Sequence, residues 1–190
     1  QKYLDVAKLA AISAGEYLLK NFGLKHDAEF KSESDVVLVV DKGSESIILE
    51  FIKKNFPNHS IYSEEIGEIN NQSEFTWFID PLDGTNNYFA GIPYFSVSIA
   101  LKFKSESIVG VVFNPIANQL FEATLNGGAF LDGELIESSK NTELKNSVCS
   151  FIQGHNLQNS EELVGLKSKI SQNFRRVIST WAPALDWTLL

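Results

Sequence analysis

The chain has 190 residues, 44% of them hydrophobic and 21% charged, the balance of a globular protein with a core of its own. Its net charge of −8 argues against nucleic-acid backbone binding, which wants a basic face, and no apolar run reaches the length of a bilayer-spanning helix. The single cysteine, Cys149, excludes an internal disulfide and suits a reducing compartment, so the expected location is cytoplasmic, with no nucleic-acid and no membrane partner.

Tyr3, Ala7, Ala10, Ala14 and Tyr17 recur at helical steps and predict an amphipathic helix over 2–21, ended by Phe22-Gly23. Residues 25–34 are polar and read as a mobile loop. The β-branched run Val36 to Val40 reads as a short strand with Asp41 at its end. Ile47, Ile48, Phe51 and Ile52 share one face of a second helix that closes near Phe56-Pro57. Strands follow: Ser60-Ile61-Tyr62, then Trp77-Phe78-Ile79, then the alternating series Phe95, Val97, Ile99, Leu101, Phe103. A turn over 104–107 returns the chain as Ile108 to Phe113, Gln119 to Leu125 forms another strand, and Gly127-Gly128 with Asp132-Gly133 marks a tight hairpin. Asn159-Ser160 can cap a helix with Leu163, Leu166 and Ile170 inward, Arg175 to Ser179 is a last short strand, and 182–190 begins an apolar helix. Helices, then a run of antiparallel strands, then helix and strand again predict a layered α+β protein. The expected organisation is an N-terminal metal-binding domain over 1–145 and the start of a C-terminal domain over 146–190.

The chemistry concentrates where two apolar strands end in acids. One delivers Ser63-Glu64-Glu65; the other delivers Asp80-Pro81-Leu82-Asp83-Gly84-Thr85-Asn86-Asn87. Carboxylates stranded away from bulk water are costly unless something positive offsets them. Hard divalent cations take oxygen ligands of this kind, and ligands of layered folds collect at strand ends. Asp80, Asp83 and Glu64 are therefore candidate metal ligands, with the Leu82 carbonyl lying between the two aspartates. Pro81 stiffens the turn, Gly84 leaves the backbone open to a phosphate, and the N–H groups of Gly84 and Thr85 point at an anion if a helix begins at Thr85. Asn86 and Asn87 add further donors. His26, His59 and His155 are scattered and form no zinc-ligand spacing.

Taken with Asp35-Val36-Val37 leading to Asp41, Gly91-Ile92-Pro93-Tyr94-Phe95-Ser96-Val97-Ser98-Ile99-Ala100-Leu101 and Asn126-Gly127-Gly128-Ala129-Phe130, these motifs resemble the inositol monophosphatase family of Mg²⁺-dependent, lithium-sensitive phosphatases. The resemblance runs from about Tyr3 to the last residue. It implies an α-β-α-β-α sandwich whose second half is cut short, because a family member continues beyond the last helix to a W-D-x-A-A-G motif with one more metal-binding aspartate. It also implies two or three Mg²⁺ ions: Glu64, Asp80 and Leu82 share one, and Asp80 and Asp83 hold a second. Asp41 and Thr85 resemble the family's carboxylate–threonine pair, which takes the proton from the attacking water, with Glu64 beside them as a catalytic residue. Gly84, Thr85 and Asn86 would bind the substrate phosphate, and a homodimer is the family expectation. The chain departs from the family's V-T-x-x-D at Leu38, which lacks the threonine hydroxyl, and Lys31 stands one residue from a family lysine.

The expected substrate is inositol monophosphate or a related small sugar phosphate. Ser63 before the two glutamates leans toward 3′(2′),5′-bisphosphate nucleotidase, Asn86-Asn87-Tyr88 with Gly91-Ile92-Pro93 leans back, and fructose-1,6-bisphosphatase is a third option. A catalytically silent binding or regulatory module is the reading from outside enzymology.

Overall fold

The computed structural model describes residues 1–24, 28–32, 35–152 and 161–189, with 28–32 and 35–38 followed by backbone alone. The first helix, α1 (Lys2–Asn21), falls where its periodicity places it. Its buried side is lined by Ala7, Ala10, Ala11, Ala14 and Gly15, residues small enough to let the helix lie close on a sheet. A Cβ at Gly15 would come within 2.4 Å of the Phe113 ring, so that approach needs glycine.

Two expectations change in the next stretch. The polar segment read as a loop contains β1 (Ala28–Ser32), which pairs antiparallel with β2 (Asp35–Leu38), Ala28 opposite Leu38. Residues 25–27 and 33–34 lie outside the described residues. The strand then stops at Leu38, and Val39 and Val40 open α2 (Val39–Asn55). Their β-branching favours a strand, but helix propensity is a weak prior that packing overrides: Val40, Ile48 and Ile52 are buried against the core. Asp41 is thereby inside the first turn of a helix and not at the end of a strand.

An eight-stranded sheet forms the centre, in the order β10-β9-β8-β7-β6-β5-β3-β4. Its strands are β3 (Ser60–Ser63), β4 (Gly67–Ile69), β5 (Phe75–Asp83), β6 (Ser96–Phe103), β7 (Glu106–Asn114), β8 (Gln119–Thr124), β9 (Gly128–Leu131) and β10 (Glu134–Ile136). β3 and β5 run parallel, and the other neighbours are antiparallel. β4 and β10, each of three residues, were too short to show a period. Between β5 and β6 the chain forms a short helix, α3 (Thr85–Phe89).

Helices cover both faces, as expected of a layered α+β protein. α1 and α2 pack on one, where Trp77, Ile79, Val97, Ile99, Leu101, Val111 and Phe113 join the main core. On the other face lies α5 (Pro183–Leu189), whose Leu185 meets Phe121 and Val112. Val111 and Val112 belong to different cores because successive strand residues point to opposite faces. A separate two-stranded sheet pairs β11 (Val148–Ser150) with β12 (Arg176–Ile178) in parallel, and α4 (Glu161–Asn173) connects them. No residue of α4 is fully buried: Leu163 and Ile170 are half-buried, but Leu166, expected inward, is exposed. The predicted cap at Asn159-Ser160 lies outside the described residues. Among the described residues no helix is long and apolar enough to cross a membrane.

His59 has a packing role. It stacks on Phe75 and Phe56, and its Nδ1 accepts a 3.1 Å hydrogen bond from the Trp77 indole. Burial holds its pKa below the ordinary histidine value.

Substituting Gly15→Val forces methyl groups into the Phe113 ring. Denaturant unfolding should show a loss of about 1–3 kcal/mol. Unchanged stability would mean that α1 does not sit this close to the sheet.

Candidate metal and phosphate site

The parallel pairing of β3 with β5 sets Ser63 opposite Ile79. The next residues, Glu64 and Asp80, therefore stand side by side, Glu64 just past the end of β3 and Asp80 still on β5. The Glu64 backbone N–H donates to the Ile79 carbonyl at 3.2 Å, which continues the ladder one step beyond the strand. The two carboxyl groups share a hydrogen bond. Burial, then the charges of Glu64 and Asp83, hold the Asp80 pKa well above the usual carboxylate range.

The acids were expected on a turn after the strand. They lie instead on the strand itself, at a bulge. Asp80 is opposite Ser98 and Asp83 is opposite Ser96, so three steps on β5 match two on β6. Pro81, which has no N–H for a ladder, occupies the irregular segment. The bulge re-aims the chain and brings both aspartates to one end of the sheet. The Leu82 N–H donates to Asp80 Oδ1 at 3.2 Å, and the Ser44 hydroxyl on α2 donates to the Pro81 carbonyl at 2.7 Å.

Asp83 is buried. Its Oδ2 accepts from the Ser96 hydroxyl at 3.0 Å and from the Leu185 N–H at 3.2 Å. Burial pushes its pKa up to about 6 despite these donors, and the neighbouring Asp186 adds to the rise. Among the described residues no group of three acidic, histidine or cysteine side chains converges as a ready-made metal cage. Glu64 and Asp80 meet directly, whereas one oxygen of Asp83 is turned toward Ser96 and α5.

Helix α3 does begin at Thr85, and the Thr85 hydroxyl donates to the Leu82 carbonyl at 2.9 Å. That carbonyl keeps a second lone pair. Gly84 adopts φ 93°, and a Cβ there would lie 3.1 Å from both the Ala182 Cβ and the Tyr94 carbonyl. Its small size thus serves the packing of α5 and the β6 approach, besides leaving its backbone open. Asp41 is buried on α2, near enough to Tyr88 of α3 to contribute, after burial itself and Tyr17, to the raised pKa of that phenol. Asn86 lines an open hollow of about 580 Å³ with Tyr94, Thr180 and Trp181. Asn87, expected to donate toward an anion, is committed elsewhere: its amide donates to the Tyr94 and Thr180 carbonyls at 2.8 and 2.6 Å. The side chains of Lys31 and Leu38 fall in the stretch followed by backbone alone.

Sequence reasoning missed the residues that hold the acids. Ser96 sits between the apolar positions of an alternating strand, where nothing local marks it as a donor to Asp83. Asp186 was passed over in an apolar run, yet it is fully buried and accepts hydrogen bonds from the hydroxyls of Tyr94, Ser150 and Thr180. No local pattern announces it, because its donors are distant in sequence.

A central sheet between helical layers, with acids gathered where two adjoining strands meet, is the layered α+β architecture of the sugar-phosphatase type. The sequence profile described as the inositol monophosphatase family matches residues 1–187, and the chain belongs to that family. It is 45% identical over 149 residues to the fructose-1,6-bisphosphatase/inositol-1-monophosphatase of Aquifex aeolicus, covering 77% of this chain and 56% of that protein. It is 42% identical over 148 residues to Nus factor SuhB of Haemophilus influenzae, covering 76% of this chain and 55% of that protein. The crystal structure of the extragenic suppressor protein suhB from Bartonella henselae superposes with a TM-score of 0.92 at 30% identity, over 98% of this chain and 73% of that one. The chain spans about half the length of these curated relatives.

A carboxyl whose pKa is higher in the folded state binds more protons when folded. The Asp83 carboxyl, pushed up to about 6, therefore costs the metal-free fold nothing below the unfolded pKa. Its penalty grows as pH rises through 6 and reaches about 3 kcal/mol. In metal-free protein, Asp83→Asn should gain stability relative to wild type between about pH 4 and about pH 7 by up to that amount. A stability difference that stays flat with pH contradicts the buried-acid account.

Proposed function

We propose that the protein is a Mg²⁺-dependent phosphatase that hydrolyses a small phosphate monoester, inositol monophosphate or a related sugar phosphate. The observation that carries this reading is the hydrogen-bonded contact of Glu64 with Asp80 at adjoining strand ends, with Asp83 close enough to raise the Asp80 pKa. A contact between two carboxyl groups requires a proton between them. A hard divalent cation fits the same position, since all the donors here are oxygens. Glu64, Asp80, Asp83 and the Leu82 carbonyl would hold Mg²⁺, in two or three sites. The bound ions supply charge neutralisation on the phosphoryl oxygens and a water of lowered pKa.

The chain's own residues do the rest. Asp41 would be the final acceptor of the attacking water's proton, relayed through Thr85 Oγ1 once that hydroxyl turns from the Leu82 carbonyl, to which it donates in this structure. The N–H groups of Gly84 and Thr85 bind a phosphoryl oxygen, and Asn86 orients the ester from the rim of the adjoining hollow. Burial of Asp41 and Asp83 strengthens the interactions these two acids make. We further read 1–145 as the metal-binding domain and 146–190 as the start of a second one, and we place the protein in the cytoplasm as a homodimer.

The name of the Aquifex relative supports two substrates, fructose 1,6-bisphosphate and inositol 1-phosphate. A second reading has its own support: relatives at 38–42% identity are named as Nus factors, which favours a protein that also serves as a binding module. The charge-based expectation of no nucleic-acid partner does not decide against that reading.

The test is a panel of inositol phosphates, fructose bisphosphate and nucleotide bisphosphates, assayed on full-length protein with Mg²⁺ and with EDTA. We expect turnover of a sugar phosphate that EDTA abolishes and millimolar lithium inhibits. Asp83→Asn should fold and lose several powers of ten in rate, since a metal-held charge contributes several kcal/mol to the transition state. Full activity in EDTA, or near-normal rates in Asp83→Asn, would remove the metal site. No activity on any ester would favour the binding module.

A further inference from the structure

We infer that Glu45 is a positioning residue for the acidic site, working with Ser44 beside it; the inference rests on the phosphatase reading above. Glu45 is a buried carboxylate, 3% exposed, on the core-facing side of α2. One of its oxygens, Oε1, collects three donors: the Ser63 hydroxyl, the Glu65 N–H at 3.3 Å and the Ile66 N–H at 3.2 Å. These donors flank Glu64 on both sides in sequence. The Glu64 N–H is itself committed to the Ile79 carbonyl. The backbone around Glu64 is thus pinned before, at and after the residue.

The preceding residue on the helix grips the other strand. Ser44 Oγ donates to the carbonyl of Pro81, the bulge residue between Asp80 and Asp83. Two consecutive residues of one helix therefore hold both acid-bearing strand ends, and the same helix carries Asp41. Asp41, Ser44 and Glu45 stand at i, i+3 and i+4, one face of a helix. Ile48 and Ile52, fully buried, continue that face and anchor the helix in the core. The arrangement is a bracket that sets the distance between Glu64 and Asp80.

A carboxylate is the right group for this position. Ionised, it is an acceptor only and can take several donors at one oxygen, and each such bond is stronger than a neutral one. A glutamine in its place keeps the shape but loses the charge. Supporting groups around metal ligands typically contribute ten- to hundredfold in metal affinity.

The experiment measures Mn²⁺ binding to the full-length protein by electron paramagnetic resonance, alongside thermal unfolding of the metal-free form. Glu45→Gln should weaken Mn²⁺ binding by about tenfold or more. Its activity should fall through kcat and the Mg²⁺ requirement, with KM for the ester little changed. Ser63→Ala, which removes one donor and little volume, should show a smaller loss of the same kind. Adding it to Glu45→Gln should weaken binding little further, because the two share one interaction. Ser46→Ala is the control: its hydroxyl bonds only its own helix, at the Lys42 carbonyl, and it should bind as wild type. If Glu45→Gln fails to fold, Ser63→Ala decides alone. Wild-type Mn²⁺ affinity in a folded Glu45→Gln or in Ser63→Ala overturns the inference and leaves the phosphatase reading standing. Failure of the wild type to bind Mn²⁺ at all overturns both.

Discussion

Everything at this site follows from one electrostatic constraint: two adjacent strands bring three carboxyl groups together, from exposed Glu64 through half-buried Asp80 to buried Asp83. Acids placed this way repel one another, and desolvation penalises the charged forms of Asp80 and Asp83. The fold answers by setting the Glu64 and Asp80 carboxyl groups against each other, with the Leu82 N–H donating to Asp80 and the Ser96 hydroxyl and Leu185 N–H donating to Asp83. An arrangement of this cost persists only where the surrounding structure over-determines it. The surroundings do so from three directions. The bulge in β5 aims Asp80 and Asp83, α2 grips both strand ends, and α5 supplies the Leu185 N–H to Asp83.

The tie to α5 links the two faces of the sheet. α2 lies on one face and α5 on the other, yet both reach the same acidic strand end. Asp186 fastens α5 in turn, since its carboxylate takes hydroxyls from Tyr94 ahead of β6, Ser150 of β11 and Thr180 after β12. The buried network therefore runs from the small parallel sheet to Asp83. Hydrogen bonds thus connect Ser150 and Thr180, through Asp186 and the adjoining Leu185 N–H, to the candidate metal ligand Asp83. Asn87 adds a second tie of the same kind, joining α3 to the Thr180 carbonyl.

Much of this was legible in the sequence. Helical spacing gave α1 and most of α2, alternation gave β6, and the pair of acid-ended strands pointed to the place where Glu64 and Asp80 meet. What sequence could not supply is of two kinds. Val39 and Val40 carry strand propensity, and only packing of α2 on the sheet makes them helical. The Pro81 segment looks like a turn because proline and Asp-Gly mark turns, whereas its partner β6 continues past it and makes it a bulge. The supports of the site were invisible for a different reason. Ser96, Asp186 and Asn87 bond to groups that are remote in the chain, and polar residues in apolar runs carry no local signal of what they hold. Ser44 and Glu45 did carry one, their helical spacing from Asp41, which becomes informative once Val39 is known to be helical.

The central claim is that Glu64 and Asp80, whose contact holds the Asp80 pKa high, meet where a divalent cation would bind. Calorimetric titration of Mg²⁺ into the full-length protein near neutral pH, in buffers of different ionisation enthalpy, counts the protons released per cation bound. The account predicts binding accompanied by net proton release, which diminishes when Asp80 is replaced by asparagine. Binding with no proton release, or release that Asp80→Asn leaves unchanged, would contradict it.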